Sequence, residues 1–142
     1  AENREYYDQC MKIASQLQQI HSLSLLGEIP NPLDLIAASD IIASPSPQSH
    51  FSRPVIEAWA LGKPVVAART AHIIDLMNDG VDGLLVNPKA PGELAQSLGR
   101  LLEDDELCNR LGRAGMKRAT EEFGNKNNLD MIVDRCNSLI RS

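Results

Sequence analysis

Pro54-Val55-Ile56-Glu57-Ala58-Trp59-Ala60-Leu61-Gly62-Lys63-Pro64-Val65-Val66-Ala67-Ala68 decides the fold class. Proline suits a first helical turn, where its missing N–H costs nothing, and glycine is the residue at which helices stop. Pro54 and Gly62 therefore bracket a helix over 54–61. Beyond Pro64 the pattern becomes an unbroken apolar run. A strand with one face in water alternates polar and apolar residues. A continuous run marks a strand covered on both faces, as in parallel sheets flanked by helices.

The same grammar repeats on either side. Upstream, Ile41-Ile42-Ala43 is a second buried strand, stopped by Ser44-Pro45-Ser46-Pro47. Before it come a short helix over 33–39 and the run Leu23-Ser24-Leu25-Leu26, ended by Gly27 and Pro30-Asn31-Pro32. Downstream, a short helix over 73–77 ends near Asn78-Asp79-Gly80, and Gly83-Leu84-Leu85-Val86 reads as the last strand. Helical stripes fill the rest. Tyr6, Cys10, Ile13, Leu17 and Ile20 make the first. Leu94, Leu98, Leu101 and Leu102 make the second, and Leu107, Leu111, Ala114 and Ala119 the third. Leu129, Ile132, Val133, Cys136, Leu139 and Ile140 make the last. The expected architecture is α/β: a parallel, Rossmann-like sheet with strands near 22–26, 41–44, 64–68 and 83–86, flanked by helices and closed by a helical C-terminal tail.

Composition limits what such a domain does. The 142 residues suit one domain. They are 43% hydrophobic and 23% charged, which excludes a disordered chain. The formal charge is −5, with no Lys/Arg cluster, so nucleic-acid binding through backbone phosphates is not expected. No apolar run approaches the ~20 residues needed to span a bilayer, and the stretch Ala1-Glu-Asn-Arg-Glu5 has no apolar signal region. Cys10, Cys108 and Cys136 fall on helical stripes and read as small apolar residues in a reducing cytoplasm. They show no Cys-x2-Cys spacing, and His21, His50 and His72 lie far apart, so no metal site is expected.

In parallel sheets ligands bind beyond the carboxyl ends of the strands. Two loops there are long or polar enough: 44–53 and 69–72. The first leads into the helix at Pro54, with Ser52 or Arg53 as N-cap, and a helix start attracts anions. Glu57, one turn in, is either a carboxylate favoured by the helix dipole or an acceptor for sugar hydroxyls. Arg53 reads as a solvated side chain or a phosphate ligand, and His50 as an exposed side chain or a general base. No Gly-x-Ser-x-Gly elbow and no Gly-x-Gly-x-x-Gly fingerprint is present.

Three stretches in order resemble one family: Asp40-Ile-Ile-Ala-Ser-Pro-Ser46, Phe51-Ser-Arg-Pro-Val-Ile-Glu-Ala-Trp-Ala-Leu-Gly-Lys-Pro-Val-Val-Ala-Ala68 and Asn78-Asp-Gly-Val-Asp-Gly-Leu-Leu-Val86. They are similar to the donor-binding half of GT-B glycosyltransferases, above all the retaining group called family 4. Leu101-Leu-Glu-Asp-Asp-Glu-Leu107 and Arg110-Leu-Gly-Arg-Ala-Gly115 resemble the helices that follow. The resemblance implies a nucleotide-diphosphate sugar as donor, no metal or cofactor, and a donor site at Ser49, His50, Phe51, Ser52, Arg53, Pro54, Val55 and Glu57. Glu57 matches the glutamate that binds the donor ribose. The family's other glutamate, which contacts the transferred sugar, maps on Ser49; the glycine after Phe maps on Ser52, and a Gly-Gly pair maps on Ala71 and His72.

The resemblance further implies that residues 1–142 are one partial domain, starting after the family's first βαβ unit. It then works with an acceptor-binding N-terminal domain or a partner chain, and is inactive in sugar transfer by itself. No catalytic residue is assigned to it. Two other readings exist. One is a non-catalytic nucleotide-sugar or glycan binding module or partner subunit. The other is a GT-B sugar epimerase, which the 51–57 loop fits less well.

Overall fold

A computed structural model describes residues 2–16, 23–48 and 52–124. Those residues form α1 (Glu2–Gln16), α2 (Pro32–Ala38), β1 (Ile42–Ser44), α3 (Arg53–Ala60), β2 (Val65–Ala68), α4 (Ala71–Leu76), β3 (Leu84–Val86), α5 (Pro91–Glu103) and α6 (Asp105–Phe123). The chain divides into two compact units, Ala1–Asn31 and Pro32–Ser142. The first holds α1, on which Tyr6 and Ile13 of the expected apolar stripe are exposed. The second holds the sheet.

The sheet is parallel, in the order β1-β2-β3. Ile42 faces Val65 across one ladder, and Val66 faces Leu84 across the other. All four residues of β2 are buried, as the unbroken apolar run requires. Its side chains alternate between two cores. Val65 and Ala67 pack with Val55, Ala58 and Trp59 of α3, Ile36 of α2, and Ile73 and Met77 at α4. Val66 packs on the other face with Leu84, Val86, Leu101, Leu107 and Leu111.

Three of the four expected strands are present. Leu23–Leu26 is not a strand: residues 23–29 carry no ladder, and Leu23, Leu25 and Leu26 are exposed. Apolar sequence alone does not make a strand, because backbone N–H and C=O groups need a ladder partner, and no described residue pairs with this segment. Helices α5 and α6 supply the described part of the helical tail, whereas the stripe from Leu129 to Ile140 lies outside the described residues.

Local signals account for the boundaries of α3. Pro54 sits in its first turn, and Leu61 is its C-cap. Gly62 follows with φ +67°. The Gly62 N–H donates to the Trp59 carbonyl at 2.9 Å, and the Lys63 N–H to the Ala58 carbonyl at 2.9 Å. These are the two bonds of a Schellman motif, which needs a left-handed residue at the position Gly62 holds.

Helix α6 packs on α3 through glycines. A side chain at Gly115 would run into the Trp59 ring, and one at Gly112 into the Gly62 carbonyl. Trp59 itself is fully buried, and its indole Nε1–H donates to the Asp82 carbonyl at 2.8 Å.

At the start of α5, a carboxylate outside the sheet ties down the end of β3. Glu93 accepts from the Asn87 backbone N–H at 2.8 Å and from Asn87 Nδ2 at 3.0 Å. The Asn87 backbone bond, then its side-chain bond, hold the Glu93 carboxyl below the usual carboxylate range, with a further contribution from Arg69. A lowered folded-state pKa means stability that is fully present above the ordinary glutamate value of about 4.3 and lost as pH falls through the folded value. Amide exchange at Asn87 should therefore accelerate, relative to intrinsic rates, as pH falls below the ordinary glutamate range. Glu93→Gln should flatten that dependence. An identical pH profile in wild type and variant would show that the carboxylate does not hold this loop.

Candidate functional site

The carboxyl ends of β1 and β2 lie side by side, and the loops leaving them lead into α3 and α4. Of the sequence-predicted site, Ser52, Arg53, Pro54, Val55 and Glu57 are placed on or next to the first turns of α3. Ser49, His50 and Phe51 lie outside the described residues.

Ser52 is the N-cap of α3, but its hydroxyl makes no cap hydrogen bond. It lies 3.3 Å from the Ser44 hydroxyl at the end of β1, and it is buried. The two serines thus join the two ends of the polar loop. The helix start offers fewer donors than its sequence suggests: Pro54 has no N–H, and the Val55 N–H donates to the Ser52 carbonyl at 3.1 Å. Positive charge comes instead from a side chain. Arg53 stands in the first turn, where a cation opposes the helix dipole but adds to its attraction for an anion.

Arg53 Nε lies 3.2 Å from Glu57 Oε1, with the arginine side chain 79% exposed and the glutamate 23%. An exposed i,i+4 pair of this kind contributes only about 0.3–0.5 kcal/mol. A ligand that engages either group can therefore part them at little cost. Val55 serves the core rather than the site: it is fully buried under α3. Pro54 shapes the turn.

A cavity of about 250 Å³ opens between the start of α3 and α4, lined by Ser52, His72, Asp75 and Leu76. A smaller one, about 140 Å³, lies on the opposite side of the strand ends, between Pro45, Ala68, Val86 and Lys89. Lys89 there holds a left-handed φ of 60°. The sequence pointed at the loop 69–72 but not at Asp75. The available signal was the spacing 72, 75, 76, which places three residues on one helical face.

Behind the site, Asp82 ties three elements together. It accepts from the Asn78 backbone N–H at 2.8 Å and from Arg118 Nη1 at 2.8 Å. Arg118 also donates to Glu122 at 3.1 Å and lies 5.7 Å from the Trp59 ring centroid. Burial by itself would lower the Arg118 pKa, but the bonds to Asp82 and Glu122 outweigh it and hold the guanidinium charged. No sequence motif announced this network, because Asp82 and Arg118 at its centre are 36 residues apart.

Cys108 takes no part. Cys108 donates its thiol to the Leu101 carbonyl at 3.1 Å, and burial, then Asp105, Asp104 and Asp40, pushes its pKa up, so it is a poor nucleophile. Cys10 is a free thiol, and Cys136 lies outside the described residues. No described helix is long and apolar enough to cross a membrane.

Known proteins share both the sequence and the fold. MMP alpha-(1->4)-mannosyltransferase of Mycolicibacterium hassiacum is 39% identical over 90 residues, covering 63% of this chain and 22% of the relative. D-inositol 3-phosphate glycosyltransferase of Corynebacterium efficiens is 41% identical over 91 residues, covering 62% of this chain and 22% of the relative. The chain thus spans about a fifth of the length of these curated relatives. Among solved structures, Anabaena Alr3699/HepE in complex with UDP superposes with a TM-score of 0.90 at 26% identity, over 96% of this chain and 38% of that one. The C-terminal domain of the group 1 glycosyl transferase LpcC from Francisella tularensis has the same fold, with a TM-score of 0.78 at 22% identity over 85% of this chain and 64% of that one. The fold is therefore that of the GT-B C-terminal domain. The family model of glycosyl transferases group 1 matches residues 3–118, and the chain belongs to that family.

Proposed function

We propose that this chain is the donor-binding part of a glycosyltransferase, holding a nucleotide-diphosphate sugar at the start of α3. The observation that carries the reading is the pairing of Arg53 with Glu57 at the carboxyl end of a parallel sheet. The likeness to Anabaena HepE, whose structure contains UDP, supports it. Arg53 and the helix dipole attract the diphosphate, and Glu57 accepts hydrogen bonds from the ribose hydroxyls. Ser49, His50, Phe51 and Ser52 complete the donor loop in this reading. No metal or cofactor is required, because Arg53 supplies the positive charge. Transfer then rests on positioning and on stabilising the departing nucleoside diphosphate.

The chain matches only about a fifth of its curated relatives. The acceptor is accordingly assigned to an N-terminal domain or a partner chain, and the isolated chain should not transfer sugar. The free thiols of Cys10 and Cys108 suit the reducing cytoplasm.

Calorimetry with nucleoside diphosphates tests the reading. Glu57→Ala should weaken binding by about 1.5 kcal/mol, the low end of the ~1.5–3 kcal/mol range for hydrogen bonds to a charged group. The low end applies because the change frees Arg53 for the phosphates. Arg53→Ala should weaken the diphosphate and leave the plain nucleoside unaffected. Unchanged affinity in both variants, with the fold intact, would return Glu57 and Arg53 to a surface ion pair.

A further inference from the structure

We propose that the cavity between Ser52 and α4 is a subsite that reads sugar hydroxyls, with His72 and Asp75 gripping the sugar ring of the donor while the diphosphate stays at Arg53. The proposal rests on the donor-binding reading above and adds to it where the sugar goes.

Size is the first argument. At about 250 Å³ the cavity is smaller than the ~300–1,000 Å³ that enclose drug-sized ligands, and suits one ring rather than a nucleotide.

Chemistry is the second. Among the described residues, the lining holds a carboxylate, an imidazole, a hydroxyl and one apolar side chain. An ionised carboxylate only accepts hydrogen bonds, whereas a neutral imidazole donates with one nitrogen and accepts with the other. A sugar hydroxyl both donates and accepts, so it satisfies Asp75 and His72 alike. A phosphate only accepts at these oxygens and is repelled by Asp75. The phosphate is better served at the first turn of α3, where Arg53 stands. Leu76 offers an apolar surface to the C–H groups of a ring.

Rigidity is the third. His72, Asp75 and Leu76 share one face of α4. The opposite side of that helix is anchored by Ile73 and Met77, both buried in the core with Trp59. The Ile73 and Ile74 N–H groups donate to the Thr70 carbonyl, each at 3.0 Å. On the other wall, Ser52 is only 1% exposed. The backbone that carries the cavity lining is therefore held before a ligand arrives, which hydroxyl recognition needs.

Calorimetry on the full chain, with UDP and GDP against UDP-glucose and GDP-mannose, tests the assignment. The wild type should bind at least one nucleotide sugar more tightly than its nucleoside diphosphate. Asp75→Asn should lose about tenfold for that nucleotide sugar, the worth of one hydrogen bond to a charged group, His72→Ala roughly fivefold, the worth of a neutral one, and neither should lose anything for the diphosphate. Both side chains are exposed, so neither change threatens the fold. The His72 imidazole resonances, assigned by comparison with His72→Ala, should shift with the nucleotide sugar and not with the diphosphate. If both variants bind sugar and diphosphate forms as the wild type does, the subsite is wrong and the donor reading stands. Equal losses for both forms also overturn the subsite, by placing the two residues at the phosphates. A wild type that binds none of the four ligands overturns both readings.

Discussion

Asp82→Ala should lower the stability of the chain by about 3 kcal/mol, the lower end of the ~3–5 kcal/mol expected when one partner of a buried ion pair is removed. The Asp82 side chain is 4% exposed and takes a bond from Arg118 and another from the Asn78 backbone. Removing it leaves a guanidinium that has given up most of its water, with nothing facing it on that side. The lower end applies because Arg118 keeps 17% of its exposure and its bond to Glu122. Asp82→Asn should cost about half as much, since an amide oxygen still accepts one bond while the charge is lost. Urea denaturation of both variants measures the difference. Equal midpoints for the alanine variant and the wild type would show that water replaces the carboxylate and that the network does not hold the 78–82 turn to α6. A 3 kcal/mol loss is a large share of the ~5–15 kcal/mol by which domains are stable. Binding at the proposed donor site should weaken with it, because Trp59 of α3 is tied to the same turn through the Asp82 carbonyl.

Gly112→Ala and Gly99→Ala should move stability in opposite directions. On helical propensity alone, alanine improves a helix by up to about 1 kcal/mol over glycine. Gly99 on α5 has open space where a Cβ would go, so Gly99→Ala should stabilise by roughly 0.5–1 kcal/mol. At Gly112 a Cβ would overlap the Gly62 carbonyl. That obstacle is backbone, held by the Schellman bonds from Gly62 and Lys63, and cannot rotate away. Gly112→Ala should therefore destabilise by about 1–3 kcal/mol in spite of the better propensity, as overpacked cores do. Thermal midpoints of the two variants decide it. A stabilised Gly112→Ala would mean that α6 does not pack on the end of α3 as closely as described.

Several features were legible in the sequence because their causes are local. Pro54 and Gly62 bracket α3 through their own backbone preferences, within a residue of where the structure places them. The unbroken run Val65–Ala68 announced a strand buried on both faces, because only a covered strand can be apolar at every position. The place of Glu57, one turn into a helix at the carboxyl end of a strand, follows from the same short-range signals.

Tertiary structure decided what depends on distant partners. Leu23–Leu26 has the composition of a strand, but a strand exists only when another segment takes its hydrogen bonds, and composition carries no information about that partner. From sequence, the loop 44–53 leads into a helix start that attracts anions. In the folded chain Val55 spends its N–H on Ser52, and Ser52 turns its hydroxyl to Ser44, so the charge for an anion falls to Arg53. The glycines at 112 and 115 look like helix defects in the sequence and turn out to be the contact surface for α3. Asp82 and Arg118 meet across 36 residues, and Ser52 lines one cavity with His72 and Asp75. Such pairings are set by how helices and strands pack, and packing is determined by volumes and faces summed over the whole domain, which no local stretch of this sequence encodes.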